Sequence, residues 1–233
     1  QILPQNVFQA SFLLGHSYTS FSVLAIHVVV IDPGVGSFRR PLLLDTPYGR
    51  FVAPDNGVLS HVLFQGMCAY PKNGGQSLIP EGWRAFHLTN ENYWLHPVSP
   101  TFHGRDVFGP VAAHLSLGVP SNCLGKRIYE AVCLPISEPK WQEGIIDGKV
   151  AHIDRFGNMI TDIPRHLLDC ITKVEVKVKR HTIKGIDGFY AEGNGLMALI
   201  GSYDTLEIAV KNGNAAARLG GHIGDSLLVV NKA

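Results

Sequence analysis

Two glycine-rich stretches carry most of the ionisable groups that could do chemistry in this chain. In IDPGVGSFRR, Asp32 ends an apolar run over residues 26–31 that only His27 interrupts. Pro33, Gly34 and Gly36 then turn the chain, and Arg39 and Arg40 follow. An acid at the carboxyl end of a strand, in a glycine-rich turn, is where open α/β sheets place ligands and chemistry. In TFHGRD, His103 and Gly104 precede a segment of helical periodicity, with Asp106 in its first turn. His103 therefore stands at a helix amino terminus, with its partial positive charge and free N–H groups. A polar site for ligand binding or acid–base work is expected where these stretches end. The alternatives are a turn or cap role for Asp32 and a hydrogen-bonded structural role for His103. A third stretch, DRFGN, follows a strand. Phe156 offers an aromatic face and Asn158 an amide that both donates and accepts, a pairing suited to a flat heterocycle. A hairpin turn with Asn158 left-handed is the competing reading.

The elements that must position these groups follow from periodicity. Residues 7–19 read as a helix packed on a sheet. Residues 26–31, a continuous apolar run bounded by turn residues, read as a fully buried central strand. Residues 41–44 and 51–53 form a hairpin about the TPYGR turn. PDNG marks a turn before a helix start at 58–63, where Asp55 and Asn56 either cap the helix or touch a ligand. Residues 67–97 are irregular, with a strand near 85–88 and aromatics (Trp83, Tyr93, Trp94) that staple a long loop. A helix over 107–117 stops at Gly118 and Pro120. From Gly148 onward the pattern is of short strands, at 149–153, 173–178, 181–183, 197–200, 206–210 and 226–230. The organisation expected is an α/β domain with a mostly parallel central sheet at 1–136, a linker at 137–147, and a small all-β, barrel-like domain at 148–233.

Composition narrows the classes. The 233 residues are 45% hydrophobic with a net charge of +1, enough for a sizeable core and without the basic run that nucleic acid would demand. No apolar stretch reaches the roughly 18–20 residues of a membrane span. Cys68, Cys123, Cys133 and Cys170 lack CxxC spacing, so a zinc site is not expected and a reducing, cytoplasmic setting is.

IDPGVGSFRR, FVAPDNG, FHGRDVFGPVAAHL, HIDRFGNMITDI and GSYDTLEIAVKNGNAAARLG, in this order over nearly the whole chain, resemble the S-adenosyl-L-methionine (SAM) hydroxide adenosyltransferases, relatives of fluorinase and chlorinase. The resemblance implies hydrolysis of SAM to adenosine and L-methionine without metal or cofactor. It places water activation on Asp32, Arg39 and His103. Phe102 and Gly104 flank the histidine. The adenine and methionine ends of SAM fall to Asp154, Phe156, Asn158, Ser202 and Tyr203, with a backbone contact near Asn212. Tyr203 replaces the arginine of fluorinase, and Asp32, His103 and Gly104 differ from the halogenase pattern. The family assembles as a homotrimer with SAM between the first domain of one subunit and the second domain of its neighbour. Its first strand and DFG-type loop have no counterpart in this chain. A halide-using adenosyltransferase and a non-catalytic SAM- or adenosine-binding module remain the alternative readings.

Overall fold

The computed structural model describes residues 2–68, 70–169 and 171–232; Cys170 lies outside them. The chain divides into two compact units, Ile2–Ile136 and Ser137 onward.

In the first unit α1 (Val7–Ser17) is capped by Asn6, whose side chain accepts from the Gln9 N–H. The strands β1 (Ile26–Val28), β2 (Pro41–Thr46) and β3 (Gly49–Pro54) follow, then α2 (Ser60–Gly66), β4 (Gly75–Leu78), β5 (Arg84–His87), α3 (Gly109–Ser116), β6 (Lys126–Ile128) and β7 (Glu130–Cys133). The main sheet has the order β1-β3-β2-β5-β6, while β4 pairs with β7. Only β1 and β3 run parallel; the other pairs are antiparallel. The expected mostly parallel sheet is corrected on this point. The tight turn after Thr46 returns the chain directly beside β2, whereas parallel neighbours need a long crossover. Alternate residues of β2 and β3 feed two cores. Leu42, Leu44, Phe51 and Ala53 pack with Val58 and Val62, while Leu43 and Val52 pack with Val107, Phe108 and Val111.

The run 26–31 is not a fully buried central strand. β1 stands at the edge of the sheet, and only one of its sides is paired among the described residues. Val29 and Ile31 pack into the first core, while Val28 and Val30 remain 45% and 42% exposed. A continuous apolar run cannot distinguish a strand with two neighbours from one with a single neighbour. The aromatics of the irregular region do staple it. Trp83 is buried in the first core, and Tyr93 and Trp94 pack against the second.

The second unit contains β8 (Lys140–Gln142), β9 (Ile145–Ile153), β10 (Met159–Pro164), β11 (Val174–Val178), β12 (His181–Lys184), β13 (Leu196–Ile200), β14 (Thr205–Val210), α4 (Ala215–Leu219) and β15 (Ser226–Asn231). The order β12-β11-β15-β9-β10-β14-β13, antiparallel throughout, makes a near-closed barrel around Val150, Ile163, Val176, Ile208 and Val229. Within the segment 137–147, β8 and the first residues of β9 pair with each other. The β9–β10 register shifts between Ile160 and Thr161, and farther along β9 Gly148 lies where a side chain would collide with Ile163.

Candidate active site

Asp32, Arg39 and His103 are brought together. The Arg39 guanidinium donates Nε to both Asp32 oxygens at 3.0 and 2.9 Å and Nη2 to Oδ2 at 2.5 Å. The same Nη2 lies 2.7 Å from His103 Nδ1. Both charged side chains are nearly shut from water, with 8% and 5% of their surface exposed. The Arg39 guanidinium also sits 5.3 Å from the ring centroid of buried Phe108. A paired, buried arginine of this kind keeps its planar fork in one orientation.

Local chain geometry sets up the cluster. The Asn56 amide donates to the Ile31 carbonyl at 2.9 Å, tying down the backbone just before Asp32. Asn56 Oδ1 accepts from Val58 N, and Asp55 accepts from Arg40 and from Val132 N. Neither residue caps α2, whose first residue has no side-chain cap. Consecutive arginines thus serve different ends, Arg39 in the cluster and Arg40 in the framework. Gly36 has a φ of +78°, and a Cβ there would run into the Pro100 carbonyl. The DPGVG loop therefore lies directly on the segment leading to His103.

His103 precedes a π-helical turn over Gly104–Phe108, and α3 begins only at Gly109. The expected helix start at 107 shifts because the wide turn closes from the Gly109 N–H onto the Gly104 carbonyl. Asp106 accepts from Arg105 and from Ser99 N at 2.8 Å, and these bonds, that of Arg105 first, hold its carboxyl down at about 2. Asp106 so anchors the loop that carries His103. Burial and the neighbouring Arg39 charge lower the His103 pKa below its ordinary 6.5, against the pull of Asp32 and Asp106. A guanidinium only donates, so His103 Nδ1 accepts and the ring proton lies on Nε2. At Gly104 a Cβ would stand 3.1 Å from Val30 Cγ1, leaving little room beside the imidazole. Phe102 is 55% exposed, with the Arg105 guanidinium 5.0 Å from its ring centroid. A separate cavity of about 400 Å³, lined by Asp45, Arg50, Arg84 and Ser121 among others, includes none of the three clustered residues.

In the second unit the DRFGN loop is a tight, internally bonded turn. Asp154 Oδ1 accepts from Phe156 N and Asn158 N at 2.8 and 2.9 Å, and Oδ2 lies 3.2 Å from Asn158 Nδ2. The left-handed residue is Gly157, with φ of +84°, and not Asn158. Gly157 presses against Asn214, and its carbonyl accepts from Ala216 N at 2.9 Å. The DRFGN and NGNAA loops, far apart in sequence, therefore meet. Phe156 is 59% exposed, with Arg155 4.7 Å from its ring centroid. Tyr203 lies close enough to Asp154 and Glu207 for both, after burial, to raise its pKa. Ser202 is exposed, and so is Asn212, which takes a left-handed φ of 52°.

Two neighbours of Asn158 went unnoticed in the sequence. Tyr190 OH lies 3.4 Å from Asn158 Nδ2 and donates to Glu207 Oε1 at 2.5 Å. Glu207 is only 4% exposed. A carboxylate inside the apolar run LEIAV was the available signal for it. Tyr190 lies in a loop without periodicity and offered none.

Comparison with known proteins settles the family. Residues 1–125 match the SAM hydroxide adenosyltransferase N-terminal domain and residues 148–228 its C-terminal domain. The chain belongs to the SAM hydroxide adenosyltransferase family. It is 34% identical over 208 residues to a protein of Salinispora tropica named (R)-S-adenosyl-L-methionine hydrolase, covering 88% of this chain and 74% of that one. A Thermus thermophilus protein of the same name is 34% identical over 227 residues, covering 93% and 80%. A fluorinase of an Actinoplanes species matches more narrowly, at 27% identity over 49% of this chain and 35% of its own. Among solved structures, an uncharacterized conserved protein from Thermotoga maritima superposes with a TM-score of 0.85 at 32% identity, covering 98% of this chain and 86% of that one. Among the described residues of this family member, no group of three or more His, Cys, Asp or Glu is placed to hold a metal ion. No described helix is long and apolar enough to cross a membrane.

Proposed function

We propose that the chain hydrolyses SAM to adenosine and L-methionine by attack of water on the ribose 5′ carbon. The observation that carries this reading is Arg39 bridging Asp32 and His103 in a nearly water-free pair. The sulfonium leaves as a neutral thioether, so the leaving group needs no acid or Lewis acid. What the site must supply is a nucleophile, because free water has a pKa of about 15.7.

The geometry supports distinct roles. With Nδ1 occupied by Arg39, His103 offers Nε2–H as a donor to the attacking oxygen and orients it. The Arg39 charge favours hydroxide character in that oxygen. Overall, SAM and water give adenosine, methionine and one proton, and Asp32 is the carboxylate at hand to receive it. Charge is lost as an anionic oxygen meets a cationic sulfonium, so a water-poor pocket favours the transition state. Asp154, Phe156, Asn158, Ser202 and Tyr203 belong to the same reading as contacts for adenine and methionine, with Phe102 and Gly104 beside the reacting carbon and Asn212 in the adjoining loop. Homotrimeric assembly, a cytoplasmic setting and independence of metal complete it.

Chromatography of the products after incubation with SAM, with and without excess chloride, tests the assignment. Adenosine and methionine in equal amounts are expected, with loss of turnover in His103→Ala. Formation of 5′-chloro-5′-deoxyadenosine would assign the chain to halide chemistry instead. SAM binding without any product would make it a binding module.

A further inference from the structure

The hydrogen bonds around Asn158 contain directional information that the proposed function does not use. Asp154 Oδ2 can only accept, so the amide must turn Nδ2 toward it, at 3.2 Å. The Tyr190 hydroxyl has one proton, and that proton is committed to Glu207 Oε1 at 2.5 Å. Its oxygen is therefore an acceptor toward Asn158 Nδ2, at 3.4 Å. Both amide protons are thus directed inward. Among the described residues of this unit Asn158 Oδ1 has no hydrogen-bond partner, and it is not among the buried unpaired atoms, so it stays open to a ligand.

We propose that Glu207 and Tyr190 are positioning residues that lock the Asn158 amide oxygen toward the ligand, making this loop select a heterocycle that presents a hydrogen-bond donor over one that presents an acceptor. In purine terms, the site takes a 6-amino ring and rejects a 6-oxo ring. The inference rests on the reading of this loop as a heterocycle site. Strand register supports the arrangement. Glu207 pairs across from Ile160, two residues beyond Asn158, and from Leu199 on its other side. Its cross-strand neighbour Leu199 forms a small apolar patch with Met197 and Ala209, and Tyr203 lies near enough to Glu207 for its charge to be felt. Without Glu207 the Tyr190 proton is free to rotate toward Asn158, Asp154 alone then holds Nδ2 inward, and an amide turned about its Cβ–Cγ bond presents Nδ2 outward at the loss of that one bond. An amide that reads a ligand is only as selective as the bonds that hold its orientation.

The test is calorimetric titration of the intact protein with adenosine, purine riboside and inosine, for the native chain and for Tyr190→Phe and Glu207→Leu. The native chain should bind in the order adenosine, purine riboside, inosine, with at least about a tenfold gap between the first and last. The variants should narrow that ratio to about threefold or less. A purely structural role would weaken all three nucleosides together, and that result, or an unchanged ratio, would overturn the proposal. Equal binding of adenosine and inosine by the native chain would overturn it without any variant. If the native chain binds SAM but none of the nucleosides, the reading of the loop as a heterocycle site fails first, and the proposal with it.

Discussion

The buried Arg39–Asp32 pair makes a single side chain responsible for both the charge and the geometry of the cluster. Arg39→Lys keeps the charge but loses the fork that reaches the carboxylate and the imidazole together. We expect it to lower kcat on the order of a hundredfold with little change in KM, read from steady-state rates of adenosine release. Arg39→Ala is a poorer probe, because stranding a buried carboxylate costs about 3–5 kcal/mol of stability. The state of His103 gives a second expectation. Its pKa is lowered by burial and by Arg39, so the folded protein holds the imidazole neutral down past pH 6.5. Protonation at lower pH would place Nδ1–H against the guanidinium. The acid limb of kcat/KM should therefore fall below pH 6.5, and an acid limb above that value would show that another group governs it.

Loops and helices act here through close approach, and glycine marks the contact. Gly36 must take a left-handed φ, and its neighbour is the Pro100 carbonyl on the segment that delivers His103. Gly36→Ala should destabilise the first unit by about 1–3 kcal/mol and displace the DPGVG loop, lowering turnover more than SAM affinity. Urea melts together with rate measurements check this, and an unchanged midpoint would count against the contact. On the opposite face of the sheet, α1 packs on α2 where Gly15 meets His61. Ser11 Oγ lies 2.9 Å from His61 Nδ1. Burial, then the charge of His16, lowers the His61 pKa to about 4. The unfolded chain takes up that proton near 6.5, so stability is full above pH 6.5 and declines as pH falls toward 4, by up to about 3 kcal/mol. Chemical denaturation at pH 7.5 and 4.5 should show this decline, and His61→Leu should flatten it. Equal slopes in both proteins would remove His61 as the cause.

For the whole molecule, each unit contains one of the two residue groups on which the proposed function rests. The first contains the Asp32–Arg39–His103 cluster on loops at the edge of a mixed sheet. The second contains a rigid turn, Asp154 to Asn158, braced by the loop before α4. Light scattering should give three times the 25.4 kDa chain mass if the proposed homotrimer forms, and a monomeric mass at working concentration would remove that part of the reading.

Periodicity and turn chemistry are local, and they were enough for six of the eight strands described in the second unit, the β2–β3 hairpin, α1 and the two-part organisation. They also drew attention to Asp32, Arg39, His103 and Asn158, on which the proposed function rests, because these stand in glycine-rich loops where a packing role is the weaker explanation. Pairing is not local. Whether the run 26–31 lies inside a sheet or at its edge depends on a second strand, and a single apolar run contains no information about its neighbours. The same holds for direction, so one mostly parallel sheet was expected where hairpin geometry produced a mostly antiparallel one. β10 escaped notice because its apolar run starts within the turn signal of FGN. Tyr190 and Glu207, 17 residues apart, reach Asn158 only because β13 and β14 fold back beside β10. Residue type and spacing determined which side chains could react or bind. The fold alone decided which atoms face each other, because a hydrogen bond selects its partner by direction in space and not by distance along the chain.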